Sequence, residues 1–116
     1  MKNTILYAIV AIALIAFCNT LFAHVLHTEK TSFKVYGNCE MCEERIETAL
    51  KANKAVISAD WDVKTKIVHI EFDPHTLGVS DLHKIIADAG HDTDKLKASD
   101  ALYKDLPRCC RYQRRK

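Results

Sequence analysis

"AVISADWDVKTKIVHIEFD", residues 55–73, holds two alternating runs around a short polar turn. In the first, Ile57, Ala59, Trp61 and Val63 fall on one side, with Ser58, Asp60 and Asp62 on the other. In the second, Val68, Ile70 and Phe72 share a face. Period-two alternation marks a half-buried strand, and two such runs joined by "KT" predict an antiparallel hairpin. The apolar positions have packing as their default role, Trp61 included. Pro74, inside "DPH", ends the second run because proline has no N–H to give a ladder.

Upstream, "TSFKVYG" alternates from Thr31, with Phe33 and Val35 on one face, and predicts a short strand. From Glu40 to Asn53, the positions Cys42, Ile46, Ala49 and Leu50 trace one side of a helix. Asn38 is the expected cap, and Glu40, Glu43 and Glu44 make an acidic first turn that suits the positive end of the helix. Downstream, Ser80 is the expected cap of a second helix carrying Leu82, Ile85, Ile86 and Ala89, and Gly90 stops it. "DKLKA", residues 94–98, is the candidate last strand. The order β-α-β-β-α-β predicts an α+β, ferredoxin-like sandwich. One four-stranded antiparallel sheet would carry two helices on one face. No repeat or low-complexity segment interrupts it.

The first residues differ from the rest. "MKNTILYAIVAIALIAFCNTLFA" has Lys2 as its only charge, an apolar middle and a small residue at its end. That is the pattern of a secretory signal peptide, residues 1–23, and it predicts an exported protein, periplasmic or otherwise extracytoplasmic. An uncleaved membrane anchor is the alternative, although Asn19 and Thr20 interrupt the apolar run that a span of about 20 residues needs. A lipoprotein signal at Cys18 is the third reading, opposed by the bulk of Phe17. Residues 24–30 then form a linker, 31–98 the domain, and 99–116 a basic tail with a cysteine pair. The net charge of +2 gives no polycationic surface, and the tail arginines lack interleaved aromatics. Nucleic acid is therefore not an expected partner, and a solvated tail is the default. A membrane enters only through the signal or anchor.

"YGNCEMCEERIE", residues 36–47, places Cys39 and Cys42 three apart where strand gives way to helix, so both sulfurs can converge on one point. The helix N-terminus favours thiolate over thiol, which serves both metal binding and disulfide chemistry. The neighbouring glutamates oppose thiolate formation, and a bound cation relieves that repulsion whereas a disulfide does not. Two thiolates with no carboxylate or histidine set beside them select soft ions: Cu(I) first, then Hg(II), with Zn(II), Cd(II) and Ag(I) also accommodated. A structural zinc has four ligands, so an open pair suits capture and release. Cys109 and Cys110 give a second pair, able to add thiolates or a disulfide if the tail folds back; Tyr103, Leu106 and Tyr112 provide apolar grip. His24, His27, His69, His75 and His83 form no ligand-spaced set and read as surface residues.

Residues 31 to about 98 resemble the heavy-metal-associated domain family on three stretches: "GNCEMCEERIE", "VKTKIVHIEFDP" and "IIADAGHD". That family includes copper chaperones, N-terminal modules of metal-transporting P-type ATPases and the periplasmic mercury-binding protein. The resemblance implies metal held by Cys39 and Cys42 and passed by ligand exchange to a metal-transporting ATPase or another donor or acceptor protein, with no enzymatic step. Two departures stand out. The family's Gly-Met-Thr-Cys is "YGNC" here, removing a buried methionine, while Met41 lies between the cysteines and can offer a weak thioether. His91 follows Gly90 where the family often has tyrosine or a nearby lysine. The resemblance puts His91 beside the pair as a candidate third ligand.

The competing reading is a thiol–disulfide oxidoreductase using Cys39 and Cys42. It requires a thioredoxin-like order and a proline against the pair, but a hairpin follows the first helix, and Pro74 and Pro107 lie elsewhere. A structural module closed by a disulfide is the remaining alternative. A hydrolase has no support, since no serine lies in a nucleophile motif.

Overall fold

The computed structural model describes the backbone of residues 1–23 and 27–116 and the side chains of residues 1–16 and 27–116. The thiol of Cys18, residues 24–26 of the expected linker, and the expected cleavage point after Ala23 lie outside the described residues. Along the chain run α1 (Lys2–Ala23), β1 (Glu29–Lys34), α2 (Glu40–Lys51), β2 (Val56–Trp61), β3 (Ile67–Phe72), α3 (Val79–Asp88) and α4 (Asp100–Lys104), followed by a 3₁₀ turn at Arg108–Cys110. Ile5, Leu6, Ile9 and Ile12 of α1 are exposed. Among the described residues no helix is long and apolar enough to cross a membrane.

The hairpin forms as expected, and β3 lies between β1 and β2, antiparallel to both. Phe33 and Trp61 both pair with Val68, and Thr31 and Ala59 with Ile70, so the same face of β3 is buried throughout. One expectation fails in β2. Val56 pairs with Phe72 and Ser58 with Glu71, leaving Ile57 as the extra residue of a bulge. The bulge turns Val56 inward and leaves Ile57 55% exposed, because one inserted residue reverses which side chain faces the core.

Against this face α2 lays Cys42, Ile46 and Leu50, and α3 lays Leu82, Ile86 and Ala87. Each large side chain taken fully from water contributes roughly 1.5–3 kcal/mol. Trp61 is fully buried, and its Nε1–H donates to the Val35 carbonyl at 3.1 Å, which satisfies its one polar atom. The expected caps differ. Cys39 holds the N-cap position of α2 without a side-chain bond, and Gly78 holds that of α3, where its N–H donates to Asp81 Oδ2 at 2.8 Å. Gly90 ends α3 at φ +98°, a conformation costly for other residues.

His83 is a second correction. It is buried, stacked on Phe33 at 3.8 Å, with Nδ1 2.6 Å from Thr93 Oγ1. It falls on the inner face of α3, between Leu82 and Ile86, where a helical period of 3.6 places it.

The third difference is the last strand. The described residues contain a three-stranded sheet, and "DKLKA" contributes none; a single bridge joins Val35 to Thr93. Asp94 N still donates to the Lys34 carbonyl, but side chains take other amides a ladder would use. Thr93 Oγ1 accepts from Lys95 N and Leu96 N, Asp92 Oδ1 from Ala98 N, and Tyr112 Oη from Asp92 N. Side-chain oxygens that close turns in this way compete directly with sheet pairing.

Asp92 is itself fully buried. Burial alone would raise its carboxyl pKa, but the Arg114 guanidinium and the Ala98 N–H outweigh it and hold it below the usual range. Arg114 bonds both carboxylate oxygens, Nε to Oδ2 at 3.0 Å and Nη2 to Oδ1 at 2.7 Å. The tail is thus docked and not solvated: Arg111 donates to the Leu106 carbonyl and Arg115 to the Asp94 carbonyl. Removing one partner of a buried pair strands the other. Arg114→Ala should therefore lose roughly 3 kcal/mol in urea unfolding, whereas Arg108→Ala should stay within about 0.5 kcal/mol. Equal midpoints for the two variants would show that the Asp92–Arg114 pair carries no stability.

Candidate metal centre

β1 delivers the chain to a loop, residues 35–39, that lies over Trp61. Gly37 is required there: a Cβ would sit 2.9 Å from Trp61 Cη2 and 3.0 Å from Cys42 Cβ. The indole therefore packs against the loop that carries the first cysteine. Cys39 starts α2 in extended conformation, and its carbonyl accepts from Cys42 N at 2.9 Å and Glu43 N at 3.2 Å. That turn brings Cys39 Sγ to 3.7 Å from Cys42 Sγ. Cys42 Sγ also accepts from Asn38 N at 3.3 Å, so the residue expected to cap the helix serves the thiol with its backbone.

The four described cysteines are free thiols. Three of them form one group: Cys39, Cys42 and Cys110 have their sulfurs within 4.8 Å of one another. Cys42 and Cys110 are buried, while Cys39 is partly exposed and forms the outward end. Cys109 faces away. It is exposed, its Sγ is 3.5 Å from Met41 Sδ, and its carbonyl accepts from Cys39 Sγ at 3.5 Å and Asn38 Nδ2 at 3.4 Å. Met41 is half exposed on the outer side of the loop.

His91 is fully buried behind the loop and is not part of the sulfur group. Its Nδ1 lies 2.8 Å from the Tyr36 carbonyl, which can only accept, so Nδ1 carries the proton and Nε2 the lone pair. Nε2 has no hydrogen-bond partner, and the ring stacks on Tyr112 at 5.5 Å. Burial pushes the imidazole pKa down. The neutral ring thus links loop to tail. His69 pairs with Ser32, and His75 lies 5.0 Å from His27, ring to ring; neither approaches the thiols in a ligand group among the described residues.

The electrostatics divide the three sulfurs. The Cys42 backbone N–H, helped by the Cys42 thiol and the Met41 N–H, lowers the Cys39 thiol pKa despite some burial. Burial, then the Cys42 thiol, raises that of Cys110. Three soft donors thus lie together beside the start of α2, one partly exposed and two buried.

The model of the heavy-metal-associated domain matches residues 34–92. The chain belongs to this family. No curated protein matches. Among solved structures, the metallochaperone CopZ is 29% identical over 56% of this chain and 98% of its own, with a TM-score of 0.54. Oxidized MerP from Ralstonia metallidurans CH34 is 26% identical over 59% of this chain and 96% of its own, with a TM-score of 0.55. The N-terminal domain of a potential copper-translocating P-type ATPase from Bacillus subtilis, solved in the Cu(I)-loaded state, is 31% identical over 66% and 96%, with a TM-score of 0.56. The family match ends at Asp92, before the tail that brings Cys110.

In the reduced apo protein, Cys39 should be alkylated first and with a pH midpoint below that of an unstructured cysteine peptide, since a lowered pKa means more thiolate at a given pH. Cys110 should stay unmodified until the protein unfolds. Residue-resolved mass spectrometry after timed iodoacetamide exposure reads both, and a Cys39 midpoint at or above the peptide's would refute the N–H stabilisation.

Proposed function

We propose that this domain captures a soft heavy-metal ion through Cys39 and Cys42 outside the cytoplasm and buffers it or passes it on by ligand exchange. Cu(I) is the first candidate and Hg(II) the next, with Zn(II), Cd(II) and Ag(I) as weaker ones. The observation that carries this reading is the Cys39–Cys42 sulfur pair, 3.7 Å apart at the start of α2, in a chain of the heavy-metal-associated family. Soft thiolates select such ions over hard ones. The partly exposed Cys39 gives an incoming ligand a sulfur-side approach, which is what stepwise exchange with an acceptor requires.

The acceptor or donor we infer is a metal-transporting ATPase or a similar metal-handling protein, by analogy with relatives whose names specify a metallochaperone and a copper-translocating ATPase domain. The extracytoplasmic location rests on the pattern of residues 1–23. Membrane attachment would come only through that segment. The function proposed is not enzymatic. The oxidoreductase alternative places its thiol pair in another topology, and here a hairpin follows α2.

Anaerobic titration of the reduced protein with Cu(I) against a competing chelator should give a tight one-to-one complex that Cys39→Ser/Cys42→Ser abolishes. Equal affinity in the double variant would overturn the assignment. Insulin reduction by the metal-free protein would favour the oxidoreductase instead.

A further inference from the structure

We propose that the C-terminal tail is part of the metal site: it is a strap that supplies Cys110 as a third thiolate and closes the two-cysteine clamp. This rests on the soft-metal reading above and extends it to a residue beyond the family match.

The first ground is the sulfur geometry. Metal–thiolate bonds are about 2.3 Å long, so a linear two-thiolate complex needs its sulfurs roughly 4.6 Å apart. Cys39 and Cys42 are 3.7 Å apart. At that separation the two bonds enclose an angle of about 107°, which leaves one side of the ion open for another donor. Cys110 Sγ lies within 4.8 Å of both sulfurs, and three thiolates around one such ion are separated by roughly 3.8–4.0 Å. A small contraction completes the set.

The second ground is the way the strap is held. Tyr112 Oη donates to the Gly90 carbonyl at 2.9 Å and accepts from Asp92 N at 2.7 Å, and Arg114 grips the Asp92 carboxylate. Leu106 packs on Gly90, where a Cβ would come within 2.9 Å of Leu106 Cδ2. The Cys109 carbonyl meets both Cys39 Sγ and Asn38 Nδ2. These contacts fix the backbone on both sides of Cys110, and in the 3₁₀ turn neighbouring side chains diverge by about 120°: Cys110 is buried with the thiols and Cys109 exposed beside Met41.

Three S–H protons leave to solvent as three metal–sulfur bonds form, one more of each than in the two-cysteine clamp, and no electrons move. Delivery to an acceptor then begins with loss of the Cys110 bond, so the strap slows release and an acceptor that displaces the tail speeds it.

The test uses the full chain, reduced and loaded anaerobically with one equivalent of Cu(I) in the absence of thiol reductants. X-ray absorption on the wild type, which needs no variant, should give three sulfur neighbours per copper. Cys110→Ala should give two, with about 10- to 100-fold weaker retention against a chelator, a loss of the size that even outer-shell changes produce at metal sites. Cys109→Ala should match the wild type. Two sulfurs in the wild type, or unchanged retention in folded Cys110→Ala, overturns the strap while leaving the Cys39–Cys42 clamp intact. Undiminished binding by Cys39→Ser/Cys42→Ser would instead overturn the underlying metal reading.

Discussion

The buried carboxylate of Asp92 is the constraint on which the rest of the structure depends. A charge taken out of water must be paired and hydrogen-bonded, or it costs several kcal/mol. Here the partners are a tail guanidinium and the Ala98 amide. Residues 92–94 meet the end of β1 through one bridge, and beyond it the chain turns and is drawn back across the domain to meet that demand. The return path passes Tyr112 and the 3₁₀ turn, and it ends with Cys110 beside Cys39 and Cys42.

A second constraint sits under the metal loop. The Trp61 indole lies against Gly37 and close to Cys42, and its N–H is satisfied by the Val35 carbonyl. His91 then holds the Tyr36 carbonyl from the α3 side. The loop is gripped from below by an aromatic plane and from behind by a neutral imidazole, which fixes Cys39 at its end against Cys42 in the first turn of α2. Preorganised donors bind without the cost of ordering them.

Much of this was legible in residues 31–90. The hairpin, helices α2 and α3 and the convergence of Cys39 and Cys42 follow from periodicity and from a three-residue step at a helix start. What was not legible depends on long-range partners. The bulge at Ile57 depends on how β2 meets Phe72 and Glu71, which alternation alone cannot reveal. His83 looks like any surface histidine until Phe33 stacks on it. "DKLKA" has strand-like spacing, but Thr93 and Asp92 spend its amides on turns. The tail gave a partial signal: Tyr103, Leu106 and Tyr112 marked an apolar grip, while the pairing of Arg114 with Asp92, 22 residues away, had none. Without that pairing, Cys109 and Cys110 could not be told apart.

A site built from the loop and the tail together should hold one soft ion through three sulfurs. Cadmium-113 NMR of the full chain tests it directly, because scalar coupling between the metal and cysteine β-protons identifies each bonded sulfur. Couplings to Cys39, Cys42 and Cys110 and none to Cys109 are the expected result. Couplings confined to Cys39 and Cys42 would contradict it.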